Sequence, residues 1–124
     1  MRIPILYALS YPERKLTPWK KLNLVELKEL TFELPDIDRF PALKIAMEAG
    51  KRGLSYPIVL NASDEVAVEL FLNGRLKFTE IPLLVEEVLS RHNPSKVDSV
   101  DMVMEIDDWA RKETIKIFDK VMKR

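Results

Sequence analysis

Two hydrophobic periods divide the chain near residue 35. In RIPILYALSYP, Ile3, Ile5, Tyr7, Leu9 and Tyr11 alternate with Arg2, Pro4, Leu6, Ala8 and Ser10. Period two predicts a strand with one strongly apolar face. Pro4 has no N–H for a ladder and puts that end at a sheet edge or a strand start. The polar stretch PERKLTPWKK follows as a loop, and LNLVELKE has room for one helical turn. In ELTFELPD, Leu30, Phe32 and Leu34 alternate with Thr31 and Glu33, predicting a second strand. Two strands alone are marginal in water, so this segment calls for a sheet that the rest of the chain does not supply.

From Asp36 onward the period is helical. DIDRFPALKIAMEAGKRG offers Asp38 as N-cap and Pro41 in the first turn. Phe40, Leu43, Met47 and Ala46 form its stripe, with Gly50 and Gly53 as stop signals. YPIVLNASDEVAVELFLNG reads as a short extended run that turns at Asn61 into a helix from Ala62 to Leu72. The apolar face of that helix is Val66, Ala67, Leu70 and Phe71, widened by Val68 and Leu72, and Gly74 sits at its C-cap. Thr79 caps the next helix, with Phe78 as a hydrophobic staple. Ile81, Leu84, Val85, Val88 and Leu89 give that helix its i, i+3, i+4, i+7, i+8 spacing, and Asn93-Pro94 ends it. In the last segment Asp98 or Ser99 caps a short helix holding Val100, Val103 and Met104. Asp107 or Asp108 caps a second, with Ala110, Ile117, Phe118 and Val121. One continuous helix is the alternative, but Asp is a better cap than interior residue and EIDD favours a break. The expected class is α+β: a β segment of two strands over 1–35, then a bundle of four to five helices over 36–124.

Composition narrows the functions open to such a chain. Twenty Lys and Arg balance twenty Asp and Glu in 124 residues, so the basic excess of a dedicated nucleic-acid binder is missing. No cysteine is present, which excludes disulfides, zinc–thiolate sites and thiol nucleophiles and suits a reducing, cytoplasmic compartment. No apolar run approaches the roughly 20 residues of a membrane span. MRIPILYALSYPERK has the charge and apolar run of a signal peptide, but Pro4 interrupts it and no A-x-A-like site follows.

Each candidate for chemistry has a plainer structural role. His92, the single histidine, lies at a helix C-terminus beside Asn93-Pro94, where an imidazole suits the dipole. No local nucleophile or carboxylate partners it as a general base. Asp36/Asp38 and Asp107/Asp108 could begin a hard-cation site, which needs several converging oxygens, yet each pair precedes a helical pattern where Asp caps. Asn61-Ala62-Ser63-Asp64-Glu65 lacks the glycines of a phosphate cradle, and its carboxylates would repel an anion. Asn61 with Asp64 resembles a capping pair. Trp19, beside Lys20 and Lys21, suits a contact surface, and Trp109 suits helix packing.

Taken together, RIPILYALSYPER, LTFELPDIDRFPALKIAMEAG, PIVLNASDEVAVELFLNG and LKFTEIP resemble, in order and spacing, the C-terminal region of the 1-deoxy-D-xylulose 5-phosphate reductoisomerase family. The resemblance covers nearly the whole chain. The family usually reads Leu-Asn-Ala-Ala-Asn-Glu where this chain has Leu60-Asn61-Ala62-Ser63-Asp64-Glu65; Asn61 and Glu65 are kept. The resemblance implies an enzyme of isoprenoid synthesis by the non-mevalonate route. It isomerises and reduces 1-deoxy-D-xylulose 5-phosphate to 2-C-methyl-D-erythritol 4-phosphate, using NADPH and a divalent metal, Mg or Mn.

The resemblance also implies a longer protein, with an N-terminal NADPH domain, a central catalytic domain and a C-terminal helical domain. No G-x-G-x-x-G occurs here, and the family's metal ligands and phosphate-binding residues lie upstream of the stretch matched by Met1. The expectation is a fragment with no catalytic, cofactor or metal residue of its own, inactive alone, with Met1 adjacent to the substrate. Its strands would belong to the central domain, and orphan strand edges tend to pair, so a homo-oligomer through residues 1–35 is expected, without nucleic acid or membrane as partner. The alternative is a stand-alone helical protein-interaction domain without activity.

Overall fold

The computed structural model describes residues 1–122 and divides the chain into two units, Met1–Leu34 and Pro35–Arg124. Among the described residues there is no strand. In the first unit, helix α1 spans Arg2–Ser10 and a single turn, α2, spans Leu24–Leu27. Residues 30–34 are irregular. Both expected strands, and with them the α+β class, are therefore corrected to an all-helical chain. The alternation at the start is weak evidence, because Leu6 and Ala8 are themselves apolar and Ile3, Leu6 and Tyr7 equally fit one helical face. A strand without a neighbour leaves every N–H and C=O unpaired, whereas a helix closes those bonds within the segment. The helical turn expected in LNLVELKE is present as α2, capped by Asn23 Oδ1, which accepts the Val25 N–H at 3.0 Å. Neither helix of this unit buries a residue.

The second unit is a bundle of α3 (Pro41–Arg52), α4 (Tyr56–Leu72), α5 (Ile81–Arg91) and α6 (Val100–Ile117). A 3₁₀ turn, Phe78–Glu80, leads into α5, and a π-helical turn, Phe118–Met122, follows α6. α4 packs against the other three helices. Its buried residues, Val59, Ala62, Ser63, Val66, Ala67 and Leu70, recur every three or four positions. That stripe begins before Asn61, so the expected extended run over Tyr56–Leu60 is instead the first turn of the helix. Pro57 sits where its missing N–H costs nothing. Asn61 is an interior residue, not a cap.

α5 buries Ile81, Leu84, Val85, Val88 and Leu89, the five positions its spacing predicts. α3 does not follow its expected stripe. Phe40, Leu43 and Met47 are exposed, and Ile45 and Ala49 face the core. Its N-cap position is Phe40 rather than Asp38, and the helix runs through Gly50 to stop at Gly53, where φ is +63°. Thr79 lies within the 3₁₀ turn and does not cap it; the Lys77 N–H donates to Glu80 Oε2 at 2.9 Å. Phe78 is exposed and meets Phe71 edge-on instead of stapling α5.

α6 is one helix, not two. Ser99 Oγ caps it by accepting the Met102 N–H at 3.2 Å. Asp107 and Asp108 lie inside it, each paired one turn on with Arg111 and Lys112. Those i, i+4 pairs offset the poor helical propensity on which the expected break rested. Ala110, Thr114, Ile117 and Phe118 are buried, while the side chain of Val121 lies outside the described residues. Two buried hydroxyls are satisfied within their own helices: Ser63 Oγ donates to Val59 O at 2.7 Å and Thr114 Oγ1 to Ala110 O at 2.6 Å.

Candidate functional site

The polar constellation with the most non-local contacts surrounds His92, at the C-terminal end of α5. Ser55, the residue before α4, places Oγ 2.7 Å from His92 Nε2. The same Oγ accepts the backbone N–H of Ser95 at 2.9 Å. Ser55 is fully buried. The imidazole meets the Tyr56 ring edge-on at 5.5 Å and the Trp109 ring of α6 at 5.3 Å. Burial pushes its pKa below the ordinary 6.5. Ser55 and His92 resemble a nucleophile and base, but an enclosed hydroxyl between two fixed partners cannot reach a substrate. The cluster joins the segment after α5 to the start of α4. Trp109 packs as expected.

Several acidic residues of the bundle pair with arginine and lysine. Arg111 donates Nε to Asp107 at 2.6 Å and Nη2 to Glu65 of α4 at 2.5 Å. Asp107 and then Glu65 raise its pKa further above the ordinary arginine range. Arg91 bonds Glu87 and Glu113, which raises its pKa in the same way. Lys116 first, and Arg91 second, hold the Glu113 carboxyl below its ordinary value. Asn61 donates to Glu65 at 3.4 Å. Asp36 Oδ1 accepts the Arg39 N–H at 2.9 Å, capping a turn before α3. Thus Asp36/Asp38 and Asp107/Asp108 do not meet as a cation site. Among the described residues no group of three or more His, Cys, Asp or Glu side chains converges.

The bundle also carries an open apolar groove of about 600 Å³ beside α3, α4 and the start of α5. Phe40, Pro41, Val68, Phe78, Ile81 and Pro82 line it, with Asp38, Arg39 and Asp64. In the other unit, Met1 is 93% exposed and stands at the N-cap of α1, with its carbonyl accepting the Ile5 N–H at 3.3 Å. Trp19 is half-buried. Sequence reading missed Ser55 and Arg111, because their partners lie 37 and 46 residues away.

The second unit is defined by its fold as a small bundle of four helices. Residues 1–113 match the family described as "DXP reductoisomerase C-terminal domain", and the chain belongs to that family. It is 54% identical over 117 residues to 1-deoxy-D-xylulose 5-phosphate reductoisomerase of Desulforamulus reducens, covering 94% of this chain and 30% of that protein. The enzyme of the same name from a Synechococcus species is 47% identical over the same shares. Among solved structures, the Zymomonas mobilis enzyme in complex with NADPH superposes with a TM-score of 0.88 at 38% identity, over 97% of this chain and 32% of that one. A DOX-P reductoisomerase in complex with NADPH, fosmidomycin and magnesium gives 0.75 at 32% identity, over 95% and 32%. The chain thus spans about 30% of the length of the curated relatives it matches.

Proposed function

We propose that this chain is the C-terminal part of a 1-deoxy-D-xylulose 5-phosphate reductoisomerase and supports the rest of that enzyme without performing the reaction itself. The family match over residues 1–113 carries the reading. The full enzyme isomerises and reduces 1-deoxy-D-xylulose 5-phosphate to 2-C-methyl-D-erythritol 4-phosphate with NADPH in isoprenoid synthesis. NADPH and the divalent metal are held by the other two-thirds of the protein. Support comes from the ion-paired state of Glu65, Asp107 and Glu113, which leaves these carboxylates committed to arginine and lysine. Met1 is read as lying next to the substrate in the whole enzyme.

The reading includes a cytoplasmic location, which a cysteine-free chain suits. It also includes a homo-oligomer formed through residues 1–35, supported by the exposed apolar side chains of Ile3, Leu9, Phe32 and Leu34. The test is twofold. The coding sequence upstream should continue in frame into an NADPH-binding domain. The purified chain, mixed with NADPH, Mg²⁺ and the sugar phosphate, should leave NADPH absorbance unchanged; steady turnover by the chain alone sinks the supporting role.

A further inference from the structure

The hydroxyl of Ser55 has one hydrogen and two partners. The Ser95 N–H can only donate to Oγ, and His92 Nε2 is the acceptor within reach of the hydroxyl hydrogen. Nε2 must then be the bare nitrogen, and the ring proton must sit on Nδ1. With Nε2 protonated, the two lone pairs of Oγ would accept both N–H groups, and the Ser55 proton would be left without an acceptor at a fully buried residue.

We propose that His92 is a proton-operated latch. As the Nδ1–H neutral imidazole it clamps the connection between α5 and α6 onto the start of α4 through Ser55, and it releases that connection when Nε2 takes a proton. The balance is simple: one proton is gained from solvent, and the Ser55 O–H bond to Nε2 is lost.

The surroundings favour the closed form. α4 presents the Tyr56 ring, on which Arg52 of α3 lies at 5.1 Å from the centroid. α6 presents Trp109. On the ring's own element, Arg91 is paired with Glu87 and Glu113. In the connection, Lys96 is paired with Asp98 at 3.0 Å. Among the described residues no carboxylate bonds the imidazole; the C-terminal dipole of α5 favours its positive charge, but burial opposes it and prevails. The unfolded chain binds this proton at 6.5 and the folded chain only at lower pH. The latch's contribution is therefore complete above pH 6.5 and is lost as pH falls through the folded value.

His92 is the one histidine, so its NMR signals are unambiguous. Long-range ¹H–¹⁵N correlation on the unmodified chain at pH 7.5 should show a protonated Nδ1 and a bare Nε2. On titration toward pH 5, exchange protection of the Ser95 amide, corrected for intrinsic rate, should drop roughly fivefold, the size of one net hydrogen bond. The midpoint should follow the imidazole and lie below 6.5. In His92→Gln, which does not titrate, the protection should no longer depend on pH; in Ser55→Ala it should be low throughout. An Nε2–H tautomer at pH 7.5, or Ser95 protection unmoved while His92 titrates, overturns the latch. Both decisive readouts use the unmodified chain and stand whether or not a variant folds.

Discussion

Replacing Phe118 by alanine removes the largest side chain enclosed by the bundle, which is only 2% exposed. The ring sits where α6 passes into its final π-helical turn, beyond residue 113, where the family match ends. Deleting a buried Phe ring costs about 3–5 kcal/mol in lost transfer energy and cavity. The Arg75 guanidinium, 4.9 Å from the ring centroid, adds about 0.5–1 kcal/mol for a cation partly in water. The unit of about 90 residues has roughly 4–13 kcal/mol in total. Phe118→Ala should therefore lower the melting temperature by about 14–48 °C, at roughly 4–8 °C per kcal/mol. Thermal melts followed by circular dichroism at 222 nm, with urea titrations beside them, measure it. Phe71→Ala is the control. That ring is 36% exposed and meets Phe78 edge-on, so its loss should cost about 1 kcal/mol. Equal losses for the two variants, or a Phe118→Ala loss below 1 kcal/mol, would refute the assignment of residues after 113 to the core.

Two further outcomes test the surface electrostatics. Glu65→Gln breaks the ion pair between α4 and α6 while leaving the Arg111 pair with Asp107; at this exposure it should cost about 0.5–1 kcal/mol and nearly vanish in 1 M salt, which urea midpoints at two ionic strengths would show. The Glu113 carboxyl is held below its ordinary 4.5 by Lys116 and Arg91, so its contribution is present above pH 4.5 and lost as pH falls through the folded value. Glu113→Gln should accordingly flatten the acid side of the stability profile below pH 4.5 and leave its slope at neutral pH unchanged.

The parts of this fold legible in the sequence are those where one period had no rival. The five apolar positions of α5 are separated by Pro82, Leu83, Glu86 and Glu87, and all five are buried while Leu83 is exposed. In α3 the bulky Phe40, Leu43 and Met47 outweighed Ile45 and Ala49 in the pattern, yet the neighbouring helices cover the smaller face. At the start of the chain nearly every residue from Ile3 to Leu9 is apolar, so alternation and helical spacing are both available; backbone pairing, not pattern, decides. The run from Tyr56 to Leu60 looked extended and is the start of α4, with Pro57 in its first turn. The contacts of Ser55 with His92, and of Glu65 with Arg111, depend on which helices meet, information that no local window holds. Membership of the family, by contrast, was legible, because PDIDRFPAL and LNASDEVAVELFLNG keep their spacing in a single chain.

The hydroxyls of Ser63 and Thr114 have a consequence for how α4 and α6 fit together. Both helices turn small residues inward, Ala62, Ser63 and Ala67 on one and Ala110 and Thr114 on the other. Each hydroxyl bonds back to its own helix, so neither reaches across to fix the axial position of its neighbour. The register along this seam rests on shape together with the Glu65–Arg111 pair. Such a joint tolerates exchange of serine for alanine, or threonine for valine, one side at a time. Neither helix has to wait for a matching change in the other.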